Sequence, residues 1–110
     1  MKDRCIFIAA ALESILLINE YVVGYDCEQF LKDRKTQDAV IRNLEIIGQA
    51  LKDFGIDALE QKQPQIAWRN IAGMRNVLAH EYLGVDPVMI WDTVNTHLDE
   101  LQQSLEDLLR

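Results

Sequence analysis

Apolar residues recur at steps of three and four along nearly the whole chain, and no segment calls for a strand. Gly24, Gly55 and Gly84, with Pro64 and Pro87, fall where that pattern breaks. The spacing predicts a first helix from about Asp3 to Val23, stopped by Gly24. A short helix, Cys27 to Leu31, follows Asp26 as its cap. A second long helix runs from Asp33 or Thr36 to Phe54 and ends at Gly55. Gly55 to Pro64 reads as a connection with one helical turn at Ala58 to Glu60. A third long helix spans about Gln65 to Tyr82. The last opens with Asp86-Pro87, an N-cap acid followed by proline at the first helical position. Its seam is Trp91, Val94, Leu98, Leu101, Leu105 and Leu108. The expectation is an all-α, up-and-down bundle of four to five helices, forming one domain over 1–110.

A chain of 110 residues buries little more than ~60 % of its unfolded surface, so it gains from a partner. The first helix bears on this. Its apolar residues wrap almost all the way round, broken only by Glu13, Ser14, Asn19 and Glu20. Such a helix must be covered on more than one side, by neighbours in the chain or by a second copy. The second long helix is two-faced instead. Val40, Leu44, Ile47, Leu51 and Phe54 form its core stripe. Asp38, Arg42, Glu45, Gln49 and Lys52 form a polar row on the other side, as on a solvated face with local ion pairs.

Eighteen acids against 11 Lys+Arg give a net charge of −7. That argues against broad gripping of a nucleic-acid backbone, which needs clustered Lys and Arg, and no DNA partner is expected. Cys5 and Cys27 belong to no metal-binding or disulfide pattern. Lys2 and Arg4 before the apolar run from Cys5 to Leu12 imitate a signal peptide. Asp3 interrupts the basic start, however, and no cleavage site follows. No stretch reaches ~20 uninterrupted apolar residues. The expected location is cytoplasmic, without a membrane.

The chemistry-bearing segment is Trp68-Arg-Asn-Ile-Ala-Gly-Met-Arg75-Asn76-Val-Leu-Ala-His80-Glu-Tyr82. Wound at ~100° per residue, Ile71, Met74, Val77 and Leu78 fall on the core side. Asn76 and His80 share another face with Arg69 and Gly73. Arg75 and Tyr82 lie together at the edge between the two arcs. Gly73, with Ala72 and Ala79, lowers the helix surface, at a propensity cost of ~1 kcal/mol for the glycine. His exchanges protons near neutrality, and Arg is a permanent fork that fits a phosphodiester. Together they suit RNA cleavage in which a 2′-hydroxyl attacks its own phosphate, without a metal or other cofactor. Arg75 and His80 are about 140° apart on one helix, so one copy does not readily grip a single group. Pairing of two copies brings each Arg near the other's His. The bland alternative is an Arg paired to a Glu on the helix surface and a satisfied or exposed His.

Arg75, four residues, His80, one residue, Tyr82 resembles the R-x-x-x-x-H-x-Y signature of HEPN-domain proteins, and more narrowly of HepT-like toxins. Thr36-Gln-Asp-Ala-Val-Ile-Arg-Asn-Leu-Glu-Ile-Ile-Gly48 is similar to a second block of that family, and Val85-Asp86 with Trp91 to a third. Gln49 stands where an acid is common in it. The resemblance implies a homodimer with a composite cleft and a metal-independent endoribonuclease, the toxin of a toxin–antitoxin pair. It implies Arg75 and His80 as the catalytic pair, with Asn76 orienting the pair or the phosphate. It also implies a minimal nucleotidyltransferase antitoxin that transfers AMP to Tyr82, adding charge and bulk beside an anion site. If the polar row faces the cleft, Arg42 adds phosphate-binding charge, and Asp38 or Glu45 orients His80. The competing reading is a non-catalytic module that binds nucleotide or RNA, or docks a partner. A third is a structural dimer whose ion pairs are internally saturated. A dimer carries twice −7, or −14, so it repels long polyanions and admits RNA only through a small basic slot.

Overall fold

Capping chemistry sets most helix boundaries in the computed structural model, which describes residues 4–80 and 85–110 and, of residues 79 and 80, the backbone alone. The first helix, α1, spans Cys5–Val22, and Gly24 breaks the chain behind it at φ 78°. Asp26 and Gln29 close a reciprocal capping box at the start of α2, Cys27–Lys32. Asp33 caps α3, Arg34–Phe54, by accepting from the Thr36 N–H at 3.0 Å. Gln37, buried on α3, donates to the last carbonyls of α2, on Phe30 (2.9 Å) and Leu31 (3.2 Å). Gly55, at φ 119°, donates back to the Leu51 carbonyl and opens α4, Ile56–Lys62. Then come α5, Trp68–His80, and α6, Pro87–Leu109, capped by Asp86 with Pro87 at its first position.

Two boundaries differ from the sequence expectation. The Gly55–Pro64 connection holds a full helix rather than one turn, because α4 drives Leu59 into the core with no exposed surface. The third long helix starts at Trp68 and not at Gln65. Residues 63–67 instead turn, burying Ile66, and the Trp68 indole N–H donates to the Gln63 carbonyl at 2.8 Å.

The central element is α3. It packs on α1 along one flank and on α5 along the other, while α6 lies against α1 and α2, and α4 against α3 and α5. The expected stripe on α3 is buried throughout, from Val40 to Phe54. On α6, Ile90, Val94, Leu98, Leu101 and Leu105 are buried, and Trp91 packs its ring on Phe30 at 5.2 Å between centroids. On α1 the neighbours cover one side: Ile8, Ala11, Ile15 and Ile18 are buried, whereas Ile6, Leu16 and Val23 are more than half exposed. By length and composition α1 is also apolar enough to cross a membrane. The core side of α5 is narrower than its helical wheel suggests. Leu78 is fully buried and Ile71 and Met74 partly, but Val77 is exposed, because α5 meets α3 on one side only.

The α3 cap is also a pH-dependent element. The Asp33 carboxylate accepts from the Thr36 hydroxyl (2.6 Å), the Thr36 N–H and the Tyr25 hydroxyl. These bonds, those from Thr36 foremost, hold its pKa at about 2, below the ordinary 3.8. A depressed carboxylate pKa adds stability that is fully present above the unfolded-state value and is lost as pH falls through the folded one. Thermal melts are therefore expected to show a decline in stability from about pH 4 to about pH 2. Asp33→Asn is expected to melt lower at neutral pH and to lose part of that slope. An unchanged slope in the variant would show that other carboxylates carry it.

Candidate functional site

The helices α1 and α5 flank α3, which carries the polar row. Arg42, Glu45, Gln49 and Asp53, which accepts from the Gln49 amide at 2.9 Å, line a surface groove of about 390 Å³ together with Arg75 of α5 and with Phe7 and Ala10 of α1. Arg42 and Glu45 also border a second groove of about 410 Å³, with Asp38, Leu78 and Pro87. The fold thus places Arg75, Arg42 and Glu45 around one depression. Asp38 belongs to the neighbouring depression and is engaged by Arg34 at 3.3 Å.

Arg75 reaches the groove because α5 lies unusually close to α3 at this turn. A Cβ on Gly48 would stand 2.9 Å from the Arg75 Cβ and 3.3 Å from the Ala72 carbonyl oxygen. The glycine that permits close approach is therefore Gly48. Gly73 has nothing among the described residues within 4 Å of where its Cβ would be, so no helix of the same chain packs there and its face of α5 is open to a ligand or a second copy. The sequence signal was the same for both, a glycine inside a helix, and only the packing separates them. Phe7, half-buried at the groove's α1 edge, and Asp53 are lining residues that motif spacing did not single out.

Arg34 pairs with Asp38, Arg110 with Asp107, and Arg69 with Asp57 (2.7 Å) and Glu60 (3.0 Å) of α4. The hydrogen bond and charge of Glu60, with Asp57 behind it, raise the Arg69 pKa further. Arg69 is thus committed to α4. Arg4 donates to the Phe54 carbonyl and sits over the Phe54 ring, 4.9 Å from its centroid. Arg42 and Arg75 alone among the described arginines have neither a carboxylate partner nor an aromatic one among the described residues. Arg75 Nη1 donates instead to the Asn76 side-chain oxygen at 2.9 Å, a neutral contact that orients the fork without neutralising it. Among the described residues, then, no glutamate pairs with Arg75. The carboxylates of Glu45 and Asp53 line the same groove, so an anion there is met by the forks of the two unpaired guanidinium groups and not by a net positive field.

His80 closes α5, and its side chain lies outside the described residues, as does all of Tyr82. No group of three or more His, Cys, Asp or Glu able to hold a metal occurs among the described residues.

The same residues can be set beside known proteins. The chain is 45 % identical over 107 residues to the "Probable ribonuclease HepT" of Thermococcus cleftensis, covering 97 % of this chain and 94 % of that protein. It is 36 % identical over 109 residues to "Putative RNase MJ0127" of Methanocaldococcus jannaschii, covering 99 % of this chain and 89 % of that one. With "Putative RNase TTE0752" of Caldanaerobacter subterraneus subsp. tengcongensis the identity is 34 % over 110 residues, covering 100 % of this chain and 97 % of that protein. No solved structure matches. The model of the family described as "Ribonuclease HepT-like" matches residues 11–108, which take in the polar row of α3, the Arg75 helix and α6. An all-α chain with this groove, these relatives and that match over nearly its whole length belongs to the HepT-like ribonuclease family.

Proposed function

We propose that this chain is the toxin of a toxin–antitoxin pair and a metal-independent endoribonuclease. It acts as a homodimer, with Arg75 and His80 from both copies around one cleft. The observation that carries the reading is the pair Arg75 and Arg42, which share one groove with Glu45 and Asp53 and have no ion-pair partner among the described residues. Family membership supports RNA as the anion.

The chemistry follows from the residue types. An RNA phosphodiester seated on the two guanidinium groups has its charge met before reaction and more fully as it grows. His80 takes the proton from the 2′-hydroxyl, whose oxygen bonds to phosphorus. The bond to the 5′-oxygen breaks, and that oxygen takes a proton from the second copy's His80. The products are a 2′,3′-cyclic phosphate and a 5′-hydroxyl end. Asn76 holds the Arg75 fork, and Glu45, a carboxylate lining the groove, orients His80. The acidic exterior restricts the substrate to RNA that fits the slot.

Silencing falls to a nucleotidyltransferase partner with a basic docking face, which transfers AMP from ATP to Tyr82. Each AMP adds a negative phosphate where an anion must enter. The protein works in the cytoplasm.

The test is cleavage of RNA by the purified protein in EDTA. Cleavage leaving cyclic phosphate ends, insensitive to the chelator and abolished by His80→Ala, is the expected result. Full activity in His80→Ala would remove the histidine from the mechanism. A harmless wild type that cleaves nothing yet binds its partner tightly would identify a docking module instead.

A further inference from the structure

The groove that holds Arg42 and Arg75 has an apolar side that phosphate binding leaves unused. Phe7 and Ala10 of α1 form it, and Ile46 and Ala50 of α3 continue it along the floor. Phe7 is partly buried, unlike its neighbour Ile8, which is 1 % exposed and wholly committed to the core. Ala10, one turn further along, is too small to cover the ring's flank. One groove lined by an aromatic side chain and by two unpaired guanidinium groups, beside Glu45 and Asp53, matches the two halves of a nucleotide. The phosphate takes the charge and the base takes the ring.

We propose that Phe7 is the stacking platform for one unpaired base of the RNA, next to the phosphate held by Arg42 and Arg75. This deepens the function proposed above and rests on it. The groove, about 390 Å³, is of a size that holds a small ligand. A base reaches the ring only when it is unstacked, so the site selects single-stranded RNA over a helix, whose bases are closed to side chains. The net charge of −7 makes this apolar contribution matter more, because long-range attraction to the backbone is absent.

The test uses a short RNA with 2′-O-methyl riboses, which binds but is not cut. Fluorescence anisotropy reads its affinity for the wild type and for Phe7→Leu, Phe7→Trp, Arg42→Ala and Arg75→Ala. Leucine preserves the apolar packing and lacks the ring, so Phe7→Leu is expected to melt as the wild type does. It is expected to bind about 5- to 150-fold more weakly, the range of one base–aromatic stack. Phe7→Trp binds at least as tightly as the wild type. An RNA abasic at one position shows the same loss on wild type and no further loss on Phe7→Leu. If Phe7→Leu binds like wild type while the two arginine variants do not, the stacking role is overturned and the phosphate site stands. If none of the variants loses affinity, the groove is not the RNA site, and both readings fall. If the pattern holds but cleavable RNA stays intact, the base platform is supported and the nuclease reading fails.

Discussion

Replacing Arg75 by alanine is expected to slow RNA cleavage by about 10²–10³-fold, the usual loss when one charge-stabilising donor is removed. The folded chain is expected to keep its melting temperature. The reason is the same in both halves. Arg75 is half-buried, its one described side-chain bond is to Asn76, and no described carboxylate depends on it. Removing it leaves no orphaned acid, so little stability goes with it, while the groove loses one of its two free positive charges. Arg75→Lys keeps the charge without the fork and is expected to fall between the two. Asn76→Ala is expected to cost less than either, since it loosens the fork without deleting it. Single-turnover rates and thermal melts on the same preparations check this. A variant that loses rate only because it unfolds would show that Arg75 is structural.

Gly48→Ala tests how the site is held. Alanine in a helix interior is favoured over glycine by about 1 kcal/mol. Against this, the new Cβ would meet the Arg75 Cβ at 2.9 Å and the Ala72 carbonyl at 3.3 Å. Neither atom is the end of a flexible side chain, so α5 itself must move away from α3. Overpacking of this kind costs typically about 1–3 kcal/mol. The two terms largely offset, and the chain is expected to remain folded with a modestly lower melting temperature. Activity has no such compensation. A displacement of about 1 Å at a catalytic group is worth on the order of 10²-fold in rate. Gly73→Ala is the control on the same helix. Its Cβ would point into open space, so it is expected to raise stability and leave the rate unchanged. Equal activity in Gly48→Ala and wild type would mean that α5 can shift without moving the site. A loss of activity in Gly73→Ala would place another molecule, such as a second copy, against that face.

Much of this arrangement was legible in the chain because it is local. Asp26, Asp33 and Asp86 cap helices through bonds to residues two or three positions away. The stripe from Val40 to Phe54 is read from period alone and is buried as a unit. The likeness of three sequence blocks to HepT-like proteins likewise needs no coordinates, and the family match spans residues 11–108. The helix α4 was half-read, since its one deeply buried residue, Leu59, gives too weak a periodicity to set its ends. Val77 was read as core because a helical wheel assigns an arc and not a neighbour.

By itself, then, the sequence determined the helices and their caps, because each depends on contacts within a turn or two, and it named the residue types of the candidate site. Which arginines stay free was decided only by tertiary structure. Arg69 and Arg75 stand on one helix, yet α4 neutralises the first and leaves the second. Which of two interior glycines allows close packing, and which aromatic residue borders the charged groove, were decided there too. These outcomes depend on how α1, α3 and α5 lie against one another, and that placement is set by the whole core at once and not by any one segment.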